Sequence, residues 1–182
     1  ATAAKPWAAF DKNGVLWNRD SSGLKTGVPQ DKLAAFPDAT NAYDIMAAAV
    51  LKGGDKLTAG KRQLVQRHWV EFNGKQVEKL TLADQYDWMT YKKFGEVMHQ
   101  IGCGLASWAK CKNNDCIIIY AETAREWMLA AQGAYTQGLT VVTIYATLGE
   151  EGALFGINQS QATCIVADGK LVKILSKIAG SL

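Results

Sequence analysis

Three short apolar runs separated by amphipathic segments constrain the fold of this chain more than any other feature of its sequence. The runs are Cys116 to Ala121, Leu139 to Tyr145 and Ala162 to Ala167. A continuous apolar run of this length is typical of a strand that is covered on both faces, and a segment with helical periodicity follows each run. This alternation predicts an α/β fold with a mostly parallel sheet and crossover helices.

Two of the helical segments begin with the pattern of a capping box. In each, a threonine precedes a glutamate by three residues, so that the hydroxyl can accept a hydrogen bond from a free helix amide while the carboxylate reaches back. The predicted caps are Thr123 with Glu126 and Thr147 with Glu150.

Further helices are predicted on either side of these two. From Thr90, apolar residues recur at three- and four-residue steps as far as Trp108, which indicates one buried face of a long helix. Asp168 precedes a last helix whose apolar side is predicted to contain Leu171, Ile174, Leu175 and Ile178.

A hairpin signal lies before the first long helix. Asn73-Gly74 separates Gln66–Phe72 from Lys75–Leu82, and this dipeptide readily adopts the two positive φ angles of a type I′ turn. We therefore predict a β-hairpin near residues 65–82. The basic stretch before it, KGGDKLTAGKRQ from Lys52, is predicted to be a solvated loop.

The N-terminal part is expected to lack regular structure, because Pro6, Pro29, Pro37 and several glycines interrupt it. Asn41 can then cap a short alanine-rich helix through the amide of Asp44. The predicted division is an irregular segment, residues 1–40, followed by an α/β unit, residues 41–182.

Composition and charge argue against several classes of protein. Apolar residues make up 48% and charged residues 20% of the chain, which is an ordinary globular balance. The formal net charge of +3 is too small to argue for a nucleic-acid partner. No apolar run approaches the roughly 20 residues of a membrane helix, and residues 1–10 lack a secretory signal. The sequence is therefore expected to belong to a protein that is not secreted.

The cysteines and histidines do not indicate a metal site. Cysteine occurs at Cys103, Cys111, Cys116 and Cys164, without a C-x-x-C pair and among apolar neighbours. Buried free thiols in a reducing compartment are the expectation. The two histidines, His68 and His99, lie far apart in sequence. We predict no metal ligands and no catalytic residues in this chain.

Three glycine-containing stretches imitate phosphate-binding motifs. GGDKLTAGKR has five residues between Gly54 and Gly60, where a P-loop has four, and it precedes a hairpin. GCGLAS, which begins at Gly102, falls inside the predicted long helix, where close helix packing explains the glycines. SSGLKTGVPQ, which begins at Ser21, has groups that could donate to phosphate, but no strand precedes it and no helix follows it directly.

Charged residues cluster where helices are predicted to begin. Glu122, Glu126, Glu150 and Glu151 complement the helix dipole there, which accounts for them without a catalytic carboxylate. The dipole disfavours Arg125 at such a position, so an ion pair or a ligand is expected to hold it.

Three sequence blocks resemble long-chain fatty acyl-CoA synthetases of the adenylate-forming superfamily. Tyr86 to Tyr91, YDWMTY, is similar to the family pattern Y-x-W-x-[ST]-Y at the start of its first long helix. Ala121 to Trp127, AETAREW, resembles A-E-T-R-x-E-W, although the arginine is displaced by one position. Val142 to Asn158, VTIYATLGEEGALFGIN, resembles V-x-L-Y-[AD]-T-L-G-x-E-A-I-x-x-x-I-N, with Gly152 and Ala153 as departures.

The resemblance implies an N-terminal fragment of such an enzyme. Members of the family use ATP and Mg²⁺ to convert a fatty acid to an acyl-adenylate and then transfer the acyl group to coenzyme A. The family's phosphate loop is expected after the region matched here. The resemblance therefore implies ATP, Mg²⁺ and coenzyme A for the parent enzyme, none of them bound by motifs of this chain. The remainder of the same chain is then a partner, and the isolated 182 residues are expected to be inactive.

The segment after the second apolar run is the candidate for contact with substrate. Ligands of open α/β sheets bind outside the carboxyl ends of the strands, which selects Tyr145, Ala146, Thr147, Leu148 and Gly149. A non-enzymatic ligand-binding or interaction module is the alternative function. The basic residues from Lys52 to Arg67 also leave open a peripheral contact with anionic lipids on the cytoplasmic side of a membrane.

Overall fold

The structure is a computed structural model, and it describes residues 38–182 together with the backbone of two short strands before them. These strands, β1 (Ala8–Phe10) and β2 (Leu16–Asn18), pair in an antiparallel arrangement. The prediction that residues 1–40 are irregular was therefore wrong for these two stretches. Contacts divide the chain into two units, Ala1–Thr40 and Asn41–Leu182. The phosphate-like stretch SSGLKTGVPQ lies outside the described residues.

A helix and a long hairpin open the second unit. Helix α1 (Ala42–Gly53) is capped by the Asn41 side chain, which accepts a hydrogen bond from the Asp44 amide at 3.0 Å, as predicted. Strands β3 (Leu57–Phe72) and β4 (Lys75–Thr90) then pair in an antiparallel arrangement. At the turn, Asn73 and Gly74 have φ angles of 52° and 72°, which confirms the predicted turn residues.

The hairpin is longer than its predicted span of residues 65–82. Leu57 to Gln63, predicted to be a solvated loop, belongs to β3 and pairs with the last residues of β4. Gly60 makes this pairing possible, because a Cβ atom there would lie 2.8 Å from side-chain atoms of both Tyr86 and Trp88. These two rings stack on each other with centroids 5.1 Å apart.

Helix α2 (Tyr91–Ser107) follows the hairpin directly. The Thr90 hydroxyl caps it by accepting a hydrogen bond from the Lys93 amide at 3.1 Å. Phe94, Met98 and Leu105 are buried along the predicted face. Trp108, predicted to continue that face, is the residue directly after the helix and is 87% exposed.

The remaining elements alternate between strand and helix, as predicted. They are β5 (Cys116–Ala121), α3 (Arg125–Tyr135), β6 (Thr140–Tyr145), α4 (Glu150–Ser160), β7 (Cys164–Ala167) and α5 (Val172–Ile178). The three strands form a parallel sheet in the order β6-β5-β7. The α/β prediction is confirmed.

Helices cover both faces of the central strand β5. Ile118 and Tyr120 pack with residues of α4 and α5, including Ile157 and Ile178. Alternate residues face the other way, so that Ile117 packs with Leu105 of α2 and Ala134 of α3. Four consecutive residues of β5, Ile117 to Tyr120, are 0% exposed. Burial of each such side chain contributes about 1.5–3 kcal/mol, so this strand is the core of the unit.

Glycines allow α2 and α3 to approach closely. A Cβ atom on Gly102 would lie 1.9 Å from Thr136 Oγ1 and 2.8 Å from the Gly133 carbonyl oxygen. The same atom on Gly104 would meet nothing within 4 Å. Helix packing, as predicted for the stretch GCGLAS, thus explains Gly102 but not Gly104.

In residues 38–182 and the two short strands, no helix combines the length and hydropathy that a membrane span requires.

Candidate functional site

The order of the parallel strands creates a switch point between β5 and β7. The connection through α3 places β6 on one side of β5, and the connection through α4 returns the chain to the opposite side. Open α/β sheets bind ligands at such a point, outside the carboxyl ends of the strands. The sequence showed which segments are strands, but it did not show their order.

A cleft of about 560 Å³ lies at this switch point. Apolar residues of β5, α3 and β7 form its floor, namely Ile119, Ala121, Trp127, Ala130, Val166 and Ala167. Charged residues of β3, of α3 and of the segments that follow β5 and β7 form its rim, namely Lys61, Arg67, Glu122, Glu126, Asp168 and Lys170. An apolar floor with a polar rim suits a ligand that has an apolar body and a polar or charged end.

Each cation on the rim is already paired with a carboxylate. Lys61 Nζ lies 2.8 Å from Glu126 Oε1, and Arg67 lies 2.6 Å from Glu78 of the facing strand. Lys170 pairs with Glu122. The rim is therefore not a preformed site for an unaccompanied phosphate, since an incoming anion has to displace these partners.

Asp168 orders the edge of the cleft. It follows β7 directly, and its Oδ2 accepts a hydrogen bond at 2.8 Å from the amide of Glu122, which follows β5. The backbone at the ends of the two adjacent strands is thereby joined. Sequence reasoning placed Asp168 only at a helix start. Its position one residue past an apolar run was the signal that could have assigned it to the carboxyl edge of the sheet.

Four charged residues attach the hairpin to the start of α3. Lys61 and Asp87 are Cα partners on β3 and β4. Lys61 binds Glu126, and Arg125 donates to both the carbonyl oxygen and Oδ2 of Asp87 at 3.0 and 3.2 Å. We call these residues the ionic quartet. Of the two partners predicted for Arg125, an ion pair or a ligand, the structure shows an ion pair.

The quartet changes the protonation equilibrium of Glu126. Burial on its own raises the pKa of this carboxyl, but the hydrogen bonds from Lys61 and the backbone, with the charges of Lys61 and Arg125, lower the pKa below its ordinary value. Glu126 is therefore held as a carboxylate that binds the hairpin.

Both predicted capping boxes were wrong. The N-cap of α3 is Ala124 and that of α4 is Gly149, and neither helix has a side-chain capping bond. Each helix begins later than Thr123 and Thr147 would require. The two glutamates are engaged elsewhere, Glu126 with Lys61 and Glu150 with Lys177 of α5. Thr123 instead lines the cleft.

The predicted substrate segment, Tyr145 to Gly149, lies at the end of the outer strand β6. Its turn is closed by a 3.0 Å hydrogen bond from the Leu148 amide to the Tyr145 carbonyl. The buried Tyr120 hydroxyl donates to the Leu148 carbonyl at 2.8 Å, and burial raises the pKa of that phenol, which keeps it a donor. Tyr145 itself is 80% exposed. The segment does not line the cleft, and its contact with substrate stays a prediction.

The described residues do not contain a group of three histidine, cysteine, aspartate or glutamate side chains that could hold a metal ion. The P-loop look-alike from Gly53 to Arg62 forms the end of α1, a turn and the start of β3. No helix follows it, so its backbone amides are not arranged as in a phosphate loop.

Sequence comparisons identify the family. The family described as AMP-binding enzyme matches residues 69–181. The chain is 36% identical over 127 residues to long chain acyl-CoA synthetase 8 of Arabidopsis thaliana, covering 68% of this chain and 17% of that protein. It is 31% identical over 153 residues to long-chain-fatty-acid–CoA ligase 4 of Saccharomyces cerevisiae, covering 78% of this chain and 22% of that protein. The chain thus spans about a fifth of the length of these relatives, and they confirm the resemblance seen in the three sequence blocks.

Solved structures show the same fold at low sequence identity. The A-PCP didomain of a carboxylic acid reductase from Segniliparus rugosus, in complex with AMP, aligns with a TM-score of 0.65 at 17% identity, covering 81% of this chain and 20% of that one. An anthranilate CoA ligase in complex with anthranoyl-AMP aligns with a TM-score of 0.63 at 16% identity, covering 82% of this chain and 25% of that one. With the family match over residues 69–181, the chain belongs to the AMP-binding enzyme family.

Proposed function

We propose that this chain is the N-terminal portion of an ATP-dependent long-chain fatty acid–CoA ligase. The parent enzyme converts a fatty acid, ATP and coenzyme A to acyl-CoA, AMP and pyrophosphate through an acyl-adenylate. The sequence match to curated long-chain relatives carries this proposal. The fold alone does not select the substrate, because similar structures include an anthranilate CoA ligase and a carboxylic acid reductase.

The carboxyl edge of the sheet is the part of this chain that we propose to contact substrate. Two surfaces lie there. One is the cleft between β5 and β7, whose apolar floor and charged rim suit an apolar chain with a polar end. The other is Tyr145 to Gly149, which the Tyr120 hydroxyl holds in place.

The nucleotide chemistry is proposed to depend on other parts of the parent enzyme. Stabilising charge on a transferring phosphoryl or adenylyl group takes several converging donors and a metal ion. The rim cations are paired with carboxylates, and the described residues supply no three-residue metal set. These residues therefore do not fit Mg²⁺ or a triphosphate. A location on the cytoplasmic side and contact with a membrane surface stay predictions of the sequence.

Pyrophosphate release by the protein at its natural length tests the proposal. Purified enzyme is supplied with ATP, Mg²⁺ and one carboxylic acid at a time, namely a long-chain fatty acid, benzoate or anthranilate. We expect release with the long-chain acid to exceed release with either aromatic acid by at least tenfold. A preference for an aromatic acid overturns the proposed substrate class. Saturable binding of the fatty acid without pyrophosphate release supports the alternative, a non-enzymatic binding module.

A further inference from the structure

Two of the four cysteines are brought together on one side of the sheet. Cys111 lies in the segment between α2 and β5 and is 6% exposed. Cys164 is the first residue of β7 and packs against the apolar cluster that contains Cys111. The hydroxyl of Thr163, the neighbour of Cys164, donates to Cys111 Sγ at 3.9 Å.

The pleat of the sheet separates this pair from Cys116. Cys164 is the Cα partner of Ile117 in the β5–β7 ladder, and both belong to the cluster on the α2 and α3 side. Successive side chains of a strand point to opposite faces, so Cys116 points away from that side. Cys103 is exposed on α2, and all four cysteines are free thiols.

We propose that Cys111 and Cys164 form an oxidation site, at which a peroxide converts the two thiols into a disulfide. Cys164 is half-buried, whereas Cys111 is buried, so the oxidant reaches Cys164 first. The Cys164 thiolate attacks one peroxide oxygen, the O–O bond breaks, and a sulfenic acid forms as water leaves. The Cys111 thiolate then attacks the Cys164 sulfur, the S–O bond breaks, and a second water leaves. Two thiols and one hydrogen peroxide thus give one disulfide and two waters.

The environment makes this site slow and selective. Burial raises the pKa of the Cys164 thiol, and the adjacent Cys111 raises it further, so little of it is thiolate at neutral pH. The thiolate is the reactive form. We therefore expect Cys164 to oxidise more slowly than the exposed Cys103, and to end in a disulfide because Cys111 belongs to the cluster against which Cys164 packs.

The crosslink closes a long loop within the α/β unit. It joins the segment before β5 to the start of β7 and closes a loop that contains β5, α3, β6 and α4. Closing a long loop lowers the conformational entropy of the unfolded chain. The oxidised protein is therefore expected to melt at a higher temperature than the reduced protein.

Peptide mapping under non-reducing conditions tests the proposal. The protein at its natural length is treated with hydrogen peroxide while folded, its remaining thiols are alkylated, and trypsin is added. Cleavage after Lys110, Lys112, Arg125 and Lys170 places Cys111, Cys116 and Cys164 in three different peptides. We expect a disulfide-linked pair formed by residues 111–112 and 126–170, whose mass is lower by two hydrogen atoms than the sum of the two peptides.

Cysteine variants provide the controls. Cys116→Ser and Cys103→Ser are expected to keep the linked pair at the wild-type yield, together with the rise in melting temperature. Cys111→Ser and Cys111→Ala are expected to lose it, while Cys164 is recovered as sulfenic or sulfinic acid. The proposal is overturned if folded wild-type protein, with Cys103 already oxidised, shows no 111–164 link. A Cys164–Cys116 link formed in the same yield as the Cys111–Cys164 link also overturns the proposal. So does a Cys111–Cys164 link whose yield is the same in protein unfolded by urea as in folded protein.

Discussion

Two consecutive residues, Arg125 and Glu126, attach both strands of the hairpin to α3. Arg125 is 12% exposed on its side chain and binds Asp87 of β4, while Glu126 binds Lys61 of β3. The sequence predicted that an ion pair or a ligand holds Arg125, since the helix dipole disfavours a cation at that end. It could not predict that the partner is Asp87, because the contact joins residues 38 positions apart that only the folded hairpin brings together.

Removal of the Arg125 charge is expected to destabilise the unit measurably. Arg125→Met keeps most of the side-chain stem but leaves Asp87 without its partner. We expect the free energy of unfolding in urea to fall by about 1–2 kcal/mol. Lys93→Met is the matched control, because it removes an exposed ion pair with Glu96 and should cost less than ~0.5 kcal/mol. Equal losses for the two variants would contradict a structural role for the quartet.

The Glu126 carboxyl gives the quartet a pH dependence. The pKa of Glu126 is lower in the folded state than its ordinary value of 4.5. A depressed folded-state pKa stabilises the fold above the unfolded-state pKa, and this contribution disappears as the pH falls through the folded-state pKa. The stability difference between wild type and Glu126→Gln is therefore expected to be largest near neutral pH and to shrink below pH 4.5.

The Lys61→Met background provides the control for this prediction. The hydrogen bond and the charge of Lys61 both lower the Glu126 pKa, so Glu126→Gln should have a smaller and flatter effect in that background. Urea unfolding from pH 3 to pH 7 measures the stability difference caused by Glu126→Gln in the wild-type and Lys61→Met backgrounds. If Glu126→Gln changes the stability of the wild-type protein equally at every pH in this range, the lowered folded-state pKa of Glu126 is contradicted.

At the scale of elements, the packing of α2 on α3 distinguishes two glycines that look equivalent in sequence. Gly102→Ala places a methyl group against the backbone carbonyl of Gly133, and we expect a loss of about 1–3 kcal/mol. Gly104→Ala meets no neighbour within 4 Å and gains helix propensity, so it should stabilise by up to about 1 kcal/mol. Thermal unfolding of the two variants measures the contrast. If both substitutions change the stability in the same direction, α2 and α3 do not pack as described.

Local signals predicted which helices and strands form better than they predicted where each helix or strand begins and ends. Asn73-Gly74 fixed the hairpin turn because its φ angles are a property of two adjacent residues. The length of the hairpin depends on pairing between residues such as Lys61 and Asp87, which no local pattern reports. The predicted capping boxes do not form for the same reason, since Glu126 and Glu150 pair with Lys61 and Lys177, which lie far from them in sequence.

At the scale of the whole unit, the sequence predicted the strands and crossover helices but not the position of the cleft. The apolar runs identify β5, β6 and β7 because buried parallel strands lack polar alternation. Their order, β6-β5-β7, depends on the direction of each crossover. This order places the cleft between β5 and β7, away from the segment after β6 that the sequence favoured.

Filling the cleft separates the two candidate substrate surfaces. Ala121→Phe places a ring on the cleft floor, whereas Ala146→Phe adds the same bulk to the segment after β6. If the cleft holds the fatty acid, Ala121→Phe should raise KM for that acid by at least tenfold in the natural-length enzyme, with a smaller change in kcat. The reverse pattern, a raised KM only for Ala146→Phe, assigns the substrate to Tyr145–Gly149 instead.

Formation of acyl-CoA is the most direct test of the proposed ligase. The natural-length protein is incubated with ATP, Mg²⁺, coenzyme A and an isotope-labelled long-chain fatty acid, and the thioester is quantified by mass spectrometry. We predict labelled acyl-CoA in amounts that exceed the amount of enzyme, with one AMP formed for each thioester. Absence of the thioester from folded protein that binds the fatty acid would contradict the assignment to a long-chain fatty acid–CoA ligase.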